Sequence, residues 1–146
     1  MKTKATLLVL TLVTSLVLPR LTADEKDPLN GAKCPVAGNK AAKADNSVEY
    51  RGAKVYFCCG GCPDAFAKDK AKYSTKANHQ LVQTGQAKQE KCPLSGGDLN
   101  KDATAKVAGV TVTFCCNNCK GKVEKAKEDE QLELAFADKA FDTGFK

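Results

Sequence analysis

The residues with chemistry in them are the eight cysteines, and all eight fall into two sets of four with the same internal order. The first set is Cys34, Cys58, Cys59 and Cys62; the second is Cys92, Cys115, Cys116 and Cys119. The stretch Val55-Tyr56-Phe57-Cys58-Cys59-Gly60-Gly61-Cys62 returns 57 residues later as Val112-Thr113-Phe114-Cys115-Cys116-Asn117-Asn118-Cys119. Each copy has a matching opener, Lys33-Cys34-Pro35-Val36-Ala37-Gly38 and Lys91-Cys92-Pro93-Leu94-Ser95-Gly96. Thiols set out twice in one frame offer three chemistries: metal ligation, disulfide stapling and thiol exchange.

Metal ligation fits the spacing best. A lone cysteine on a turn, a second where a strand ends and a third at the start of a helix bring sulfurs from separate elements to one point, which a tetrahedral thiolate site requires. Sulfur-only donors select Zn(II) or Cu(I), one ion per unit, over hard ions such as Mg or Ca. The single histidine, His79, and the single methionine, Met1, exclude sites built mainly of imidazole or thioether, and His79 is expected to be a solvated residue in a connection. Adjacent cysteines leave the ligand number open at three or four, because neighbouring side chains on a strand face opposite ways. The preferred reading takes all of Cys34, Cys58, Cys59, Cys62, Cys92, Cys115, Cys116 and Cys119 as ligands. The first rival is a disulfide-stapled secreted protein, opposed by the strain of bridging the neighbours Cys58 and Cys59. The second is a thiol-disulfide oxidoreductase using Cys59-x2-Cys62, for which no thioredoxin-like βαβ frame is visible. No nucleophile-histidine-carboxylate set or phosphate-cradling glycine motif occurs, so a binder is expected rather than an enzyme.

The elements that must position these thiols follow from local pattern. Val48, Tyr50, Val55 and Phe57 alternate around Arg51-Gly52, which predicts a β-hairpin running into the cysteine turn. Pro63 suits the first turn of a helix expected over about 63–73, with Phe66 buried. Residues 39–46 read as linker. The second unit repeats the plan, with a loop over 97–105, a hairpin through Val107, Gly109, Val110, Val112 and Phe114, and a longer closing helix carrying Val123, Ala126, Leu134, Ala137 and Phe141. The charged run Lys120 to Glu130 reads as a solvated helix face.

The pattern Cys34-Pro35-Val36-x-Gly38, then Tyr50-x-Gly52-x-x-Tyr56-Phe57-Cys58-x3-Cys62 and Phe66, resembles the YHS domain and the overlapping TRASH domain, small modules of heavy-metal trafficking, resistance and sensing. The resemblance covers 34 to about 73 and 92 to about 126. It implies an α+β fold of two small treble-clef-like modules in tandem, each a β-hairpin, cysteine turn and helix. It also implies Cys34, Cys58 and Cys62 as ligands in the first unit and Cys92, Cys115 and Cys119 in the second. The chain departs from the family at Cys59, and in the second unit Val107 and Thr113 stand where the tyrosines would be.

The expected division is a signal peptide at 1–23, a lead-in at 24–33, a first unit at 34–83, a connection at 84–91 and a second unit at 92–146. Lys2 and Lys4 precede a charge-free run from Ala5 to Leu18, which at 14 residues falls short of a spanning helix. This order reads as a secretory signal cleaved after Ala23, giving a periplasmic or secreted protein with no membrane attachment afterwards. Units of this size bury little apolar surface, so a metal or crosslink staple is expected on physical grounds. The formal charge of +6 includes Lys2, Lys4 and Arg20 of the signal, and the rest is mixed in sign without a basic patch, which argues against nucleic acid. Metal ions are therefore the expected partners, and no residue names a protein partner.

Overall fold

The computed structural model describes Leu29 and residues 31–146; the expected signal peptide and most of the lead-in lie outside them. The described residues are α+β, with two two-stranded antiparallel sheets and five helices. Strands β1 (Lys43–Tyr50) and β2 (Ala53–Phe57) form the first hairpin, and β3 (Asn100–Val107) and β4 (Val110–Phe114) the second. Helices α1 (Cys62–Lys68) and α2 (Lys70–Gln83) follow the first, and α3 (Asn117–Glu124), α4 (Glu128–Phe136) and α5 (Asp138–Gly144) follow the second.

Both hairpins turn on two residues of positive φ, Arg51 (54°) with Gly52 (76°) and Ala108 (46°) with Gly109 (87°). This backbone matches the strand twist and keeps the register tight: Tyr50 pairs with Ala53, and Val107 with Val110. Each hairpin carries the same irregularity at its far end, where pairing skips from Ser47↔Tyr56 to Lys43↔Phe57 and from Thr104↔Thr113 to Asn100↔Phe114. Such bulges bend a strand next to a site. The first strand of each hairpin therefore starts earlier than expected. Residues 43–46 are strand rather than linker, and within the expected 97–105 loop β3 begins at Asn100 with Ala103 fully buried.

The helices differ from expectation in number. The segment after the first hairpin breaks at Asp69, whose side chain accepts a hydrogen bond from the Lys72 N–H and caps a new helix. That helix, α2, runs past the expected helix end at 73 as far as Gln83 and buries Ala77, Asn78, Gln80 and Leu81. The expected closing helix is three. The backbone leaves helical geometry at Lys127 and again at Ala137 (φ −54°, ψ 155°). The breaks shift the buried face onto Ala135, Phe136, Ala140 and Phe141, leaving Leu134 and Ala137 only half-buried. The charged run from Lys120 to Glu130 is likewise split, with Lys120–Glu124 its one i,i+4 ion pair among the described residues. Glu128, Asp129 and Glu130 open α4, where carboxylates favour the positive end of the helix.

The apolar core is continuous across the two hairpins. In the first half Phe66 meets Tyr50 edge-on (centroids 5.3 Å) and Phe57 (5.5 Å). In the second, Phe145 lies against Phe136 and Phe141. Helix α2 joins them by packing on α4, α5 and β4. Asn78 Nδ2 donates to the Phe136 carbonyl at 2.9 Å. Arg51, on the first turn, pairs with Asp138 (2.9 Å) and Asp142 and lies over the Phe141 ring, tying the first hairpin to α5.

His79 is not in a connection and is not solvated. It lies on α2, half-buried, with Nε2 3.1 Å from the Ala108 carbonyl and its ring edge-on to Phe136 at 5.0 Å. Burial, helped by the charge of Lys33, holds its pKa below the ordinary value even though the Ala108 and Val107 carbonyls favour the cation. The unfolded chain therefore takes up the proton near pH 6.5 and the folded chain only lower, so stability falls as pH drops below about 6.5. Denaturant midpoints at pH 8 and pH 5.5 should differ more for wild type than for His79→Gln; equal differences would remove His79 as the cause. Among the described residues no helix is long and apolar enough to cross a membrane.

Candidate metal centres

Each site is assembled from a knuckle, a strand end and a helix start. The knuckle is Cys-Pro-x-x-Gly. Gly38 N–H donates to the Cys34 carbonyl and Gly96 N–H to the Cys92 carbonyl, both at 2.8 Å, and both glycines sit at φ 70°. A side chain would be strained there, so glycine is required to fold the thiol back under its own turn. The next sulfur comes from the residue that follows β2 or β4, Cys58 or Cys115. The last comes from the first turn of the following helix, Cys62 in α1 or Cys119 in α3.

The Sγ atoms of Cys34, Cys58 and Cys62 all lie within 4.8 Å of one another, as do those of Cys92, Cys115 and Cys119. Within the triads Cys58···Cys62 and Cys115···Cys119 are each 3.7 Å. A disulfide bond would be about 2.05 Å, whereas sulfurs each about 2.3 Å from a shared tetrahedral ion stand ~3.8 Å apart. The donor set and its spacing therefore fit a soft or borderline cation at each triad. All eight thiols are free.

Cys59 and Cys116 stand beside the triads. Cys59 Sγ is 3.2 Å from Cys62 Sγ and exposed, and Cys116 Sγ is 3.7 Å from Cys115 Sγ and half-buried. The first triad is the more enclosed, with Cys34 1% and Cys62 8% exposed, while in the second both Cys115 and Cys119 are half-buried.

The environments split the thiols into opposite protonation preferences. Burial pushes Cys34 up, but the N–H groups of Ala37, Cys58 and Val36 outweigh it and the balance falls below the ordinary value. At Cys92 burial is likewise overcome, by the Ser95 hydroxyl and by the N–H groups of Cys115, Leu94 and Ser95, which bring it to about 7. Cys119 is pushed up to about 12, by burial first, then by its hydrogen bond with Cys115 and the charge of Cys92. Cys62 rises for the same leading reason, with Cys59, Cys58 and Cys34 adding to it. Each knuckle thus favours one thiolate, and the helix-borne thiol beside it stays protonated.

Three glutamines and a serine that the spacing analysis did not single out support these sites. Gln80 on α2 bonds both backbone groups of Tyr56 (2.7 and 2.8 Å) and the Lys33 carbonyl (2.9 Å), joining the strand that leads to Cys58 to the segment that leads to Cys34. In the second half Gln89 does the same for Thr113 (2.9 and 2.6 Å) and the Lys91 carbonyl (3.0 Å). Gln86 closes Lys54 in the first half with two bonds of 2.8 Å. These amides satisfy backbone groups on the open edge of each hairpin. Gln80 follows its strand residue by 24 positions and Gln89 precedes its own by 24, so no repeat spacing marks them. The Ser95 hydroxyl lies 3.1 Å from Cys115 Sγ, and the first unit has Ala37 in the corresponding place.

Gln80→Ala is expected to cost about 2 kcal/mol, since it removes a buried side chain and leaves the Tyr56 N–H, the Tyr56 carbonyl and the Lys33 carbonyl without it in a partly buried place. Gln89→Ala, half-buried, should cost about 1 kcal/mol. Denaturant titration checks both, and a Gln80→Ala loss under ~0.5 kcal/mol would mean the clamp contributes nothing.

Comparison of the chain with protein-family models, with curated proteins and with solved structures finds no match.

Proposed function

We propose that this protein binds two soft or borderline metal ions, Zn(II) or Cu(I), one at Cys34, Cys58 and Cys62 and one at Cys92, Cys115 and Cys119. It works in heavy-metal binding, trafficking or sensing rather than catalysis, on two YHS/TRASH-like modules of treble-clef type, and it is exported by the segment at 1–23. The observation that supports this reading most is the doubled triad, with matching sulfur edges of 3.7 Å that suit a bound thiolate-ligated ion. The repeat supports it as well: two hairpins with the same turn, the same bulge and the same knuckle bring the same three thiols together twice.

Native mass spectrometry of the full chain purified without added reductant, before and after incubation with Zn(II) or Cu(I), tests the reading. The expected result is a mass excess of two ions. A metal-free protein about 8 Da light, the signature of four disulfides, would replace it with the stapled-scaffold reading.

A further inference from the structure

We infer that Cys59 is the thiol that receives an ion from, and returns it to, a small thiolate carrier, and that it serves the first triad only; this rests on the metal-binding reading above. Three observations converge. The first triad is closed to solvent at two of its three sulfurs, Cys34 and Cys62, so a carrier too large to enter cannot reach them directly. Cys59 is exposed, yet its Sγ touches that of buried Cys62 at 3.2 Å, because the Cys62 N–H bonds the Cys59 carbonyl (3.2 Å) and folds the turn back on itself. The space over this turn is open: a Cβ built at Gly61 would meet nothing within 4 Å, and one at Gly60 only Asn46 Oδ1 at 3.9 Å.

The second half has the arrangement only in a looser and less exposed form. Asn117 and Asn118 occupy the two glycine positions. Cys116, half-buried in extended backbone ahead of α3, has its Sγ 3.7 Å from Cys115 Sγ and shares hydrogen bonding with both Cys115 and the helix-borne Cys119. No sulfur among the described residues comes as close to it as the 3.2 Å of Cys59 to Cys62. Cys115 and Cys119 are both half-buried, so two sulfurs of that triad face a carrier directly, against the single half-buried Cys58 in the first. The Ser95 hydroxyl and the Gly97 backbone crowd Cys115, the latter placing a built Cβ 3.3 Å from it.

The transfer is a ligand exchange with no change of oxidation state. On loading, a bond from Cys59 Sγ to the ion forms as a carrier sulfur leaves, and the Cys59 proton goes to the departing carrier thiolate. Cys62 Sγ then displaces Cys59 Sγ, the Cys62 proton passing to Cys59, and Cys34 and Cys58 displace the remaining carrier sulfurs, each of which leaves with the proton of the thiol that replaces it or one from solvent. Release runs through the same steps in reverse.

The test uses the full chain loaded with two Zn(II) ions, mixed in a stopped-flow instrument with glutathione and a chromophoric chelator. Wild type is expected to release zinc in two phases of equal amplitude. Cys59→Ser should slow one phase about tenfold while native mass spectrometry still finds two ions and the thermal midpoint is unchanged. Cys116→Ser should leave both phases as they are. Unchanged release from Cys59→Ser overturns the inference, and so does a one-ion stoichiometry, which would make Cys59 a ligand. A wild-type chain that takes up no zinc fails both this inference and the reading beneath it, whereas two ions with unaltered rates fails this inference alone.

Discussion

Cys58→Ser is expected to cut the metal content from two ions per chain to one, and Cys115→Ser to do the same at the other triad. Each substitution leaves two triad sulfurs, and a hydroxyl is a poor partner for the borderline or soft ions that sulfur selects. The stability effect should be large. A structural zinc contributes on the order of 10 kcal/mol to a folding unit of this kind, comparable with the entire net stability of a small domain. Chelator should accordingly lower the thermal midpoint of wild type strongly, and that of either single-site variant by a smaller further step. Elemental analysis paired with melting curves, with and without chelator, checks the prediction. Two ions retained by Cys58→Ser would show that the sulfur meeting point is not the binding point.

The second large effect lies in the shared core. Phe136→Ala is expected to cost about 3–5 kcal/mol, since Phe136 is fully buried and surrounded by rings and backbone that cannot close over the gap. It should do so for both halves at once. Phe136 belongs to α4, yet its carbonyl accepts from Asn78 of α2 and its ring receives the edge of His79, so loosening it loosens the helix that carries Gln80. Hydrogen exchange reads this directly at two amides, Tyr56 N–H, held by Gln80, and Thr113 N–H, held by Gln89. Both should lose protection together. Loss at Thr113 alone would mean that the halves unfold independently.

Joint loss also follows from how α5 is held. Its beginning is gripped by Arg51 of the first hairpin through Asp138 and Asp142, and its end lies on the second knuckle, where a Cβ on Gly144 would come within 3.0 Å of the Lys91 carbonyl and Pro93 Cα. One short helix therefore touches the turn of the first hairpin and the base of the second triad. Asp138 is kept charged below the usual carboxylate range: burial works against it, but hydrogen bonds from Asn78, Arg51 and Ser74 prevail.

What was legible in the residue pattern was what local rules encode. Alternating Val48, Tyr50, Val55 and Phe57 around a Gly-containing pair specifies a tight hairpin whatever lies nearby, and the structure has it twice. Cysteine spacing places four thiols of each unit near one point and leaves three or four ligands open, because a strand end and the helix start four residues on must come close once the turn forms but an adjacent pair can face either way. The helix breaks were less plain, although each left a mark: Asp69 is a capping residue, and Glu128-Asp129-Glu130 is an acidic opening turn. A search for apolar period alone passes over both, because it rewards continuity and a cap interrupts it.

The sequence by itself determined the doubling, the hairpins, the knuckle glycines and the sulfur donor set, all of which depend on residues close along the chain or repeated at one interval. Only the tertiary structure decided that α2 and α4 pack into one core, that Gln80 and Gln89 reach equivalent strands from opposite directions, and that Cys59 sits outside its triad against Cys62. Those features arise where segments far apart in the chain meet, and side chains chosen for such meetings follow no period that a linear pattern could display.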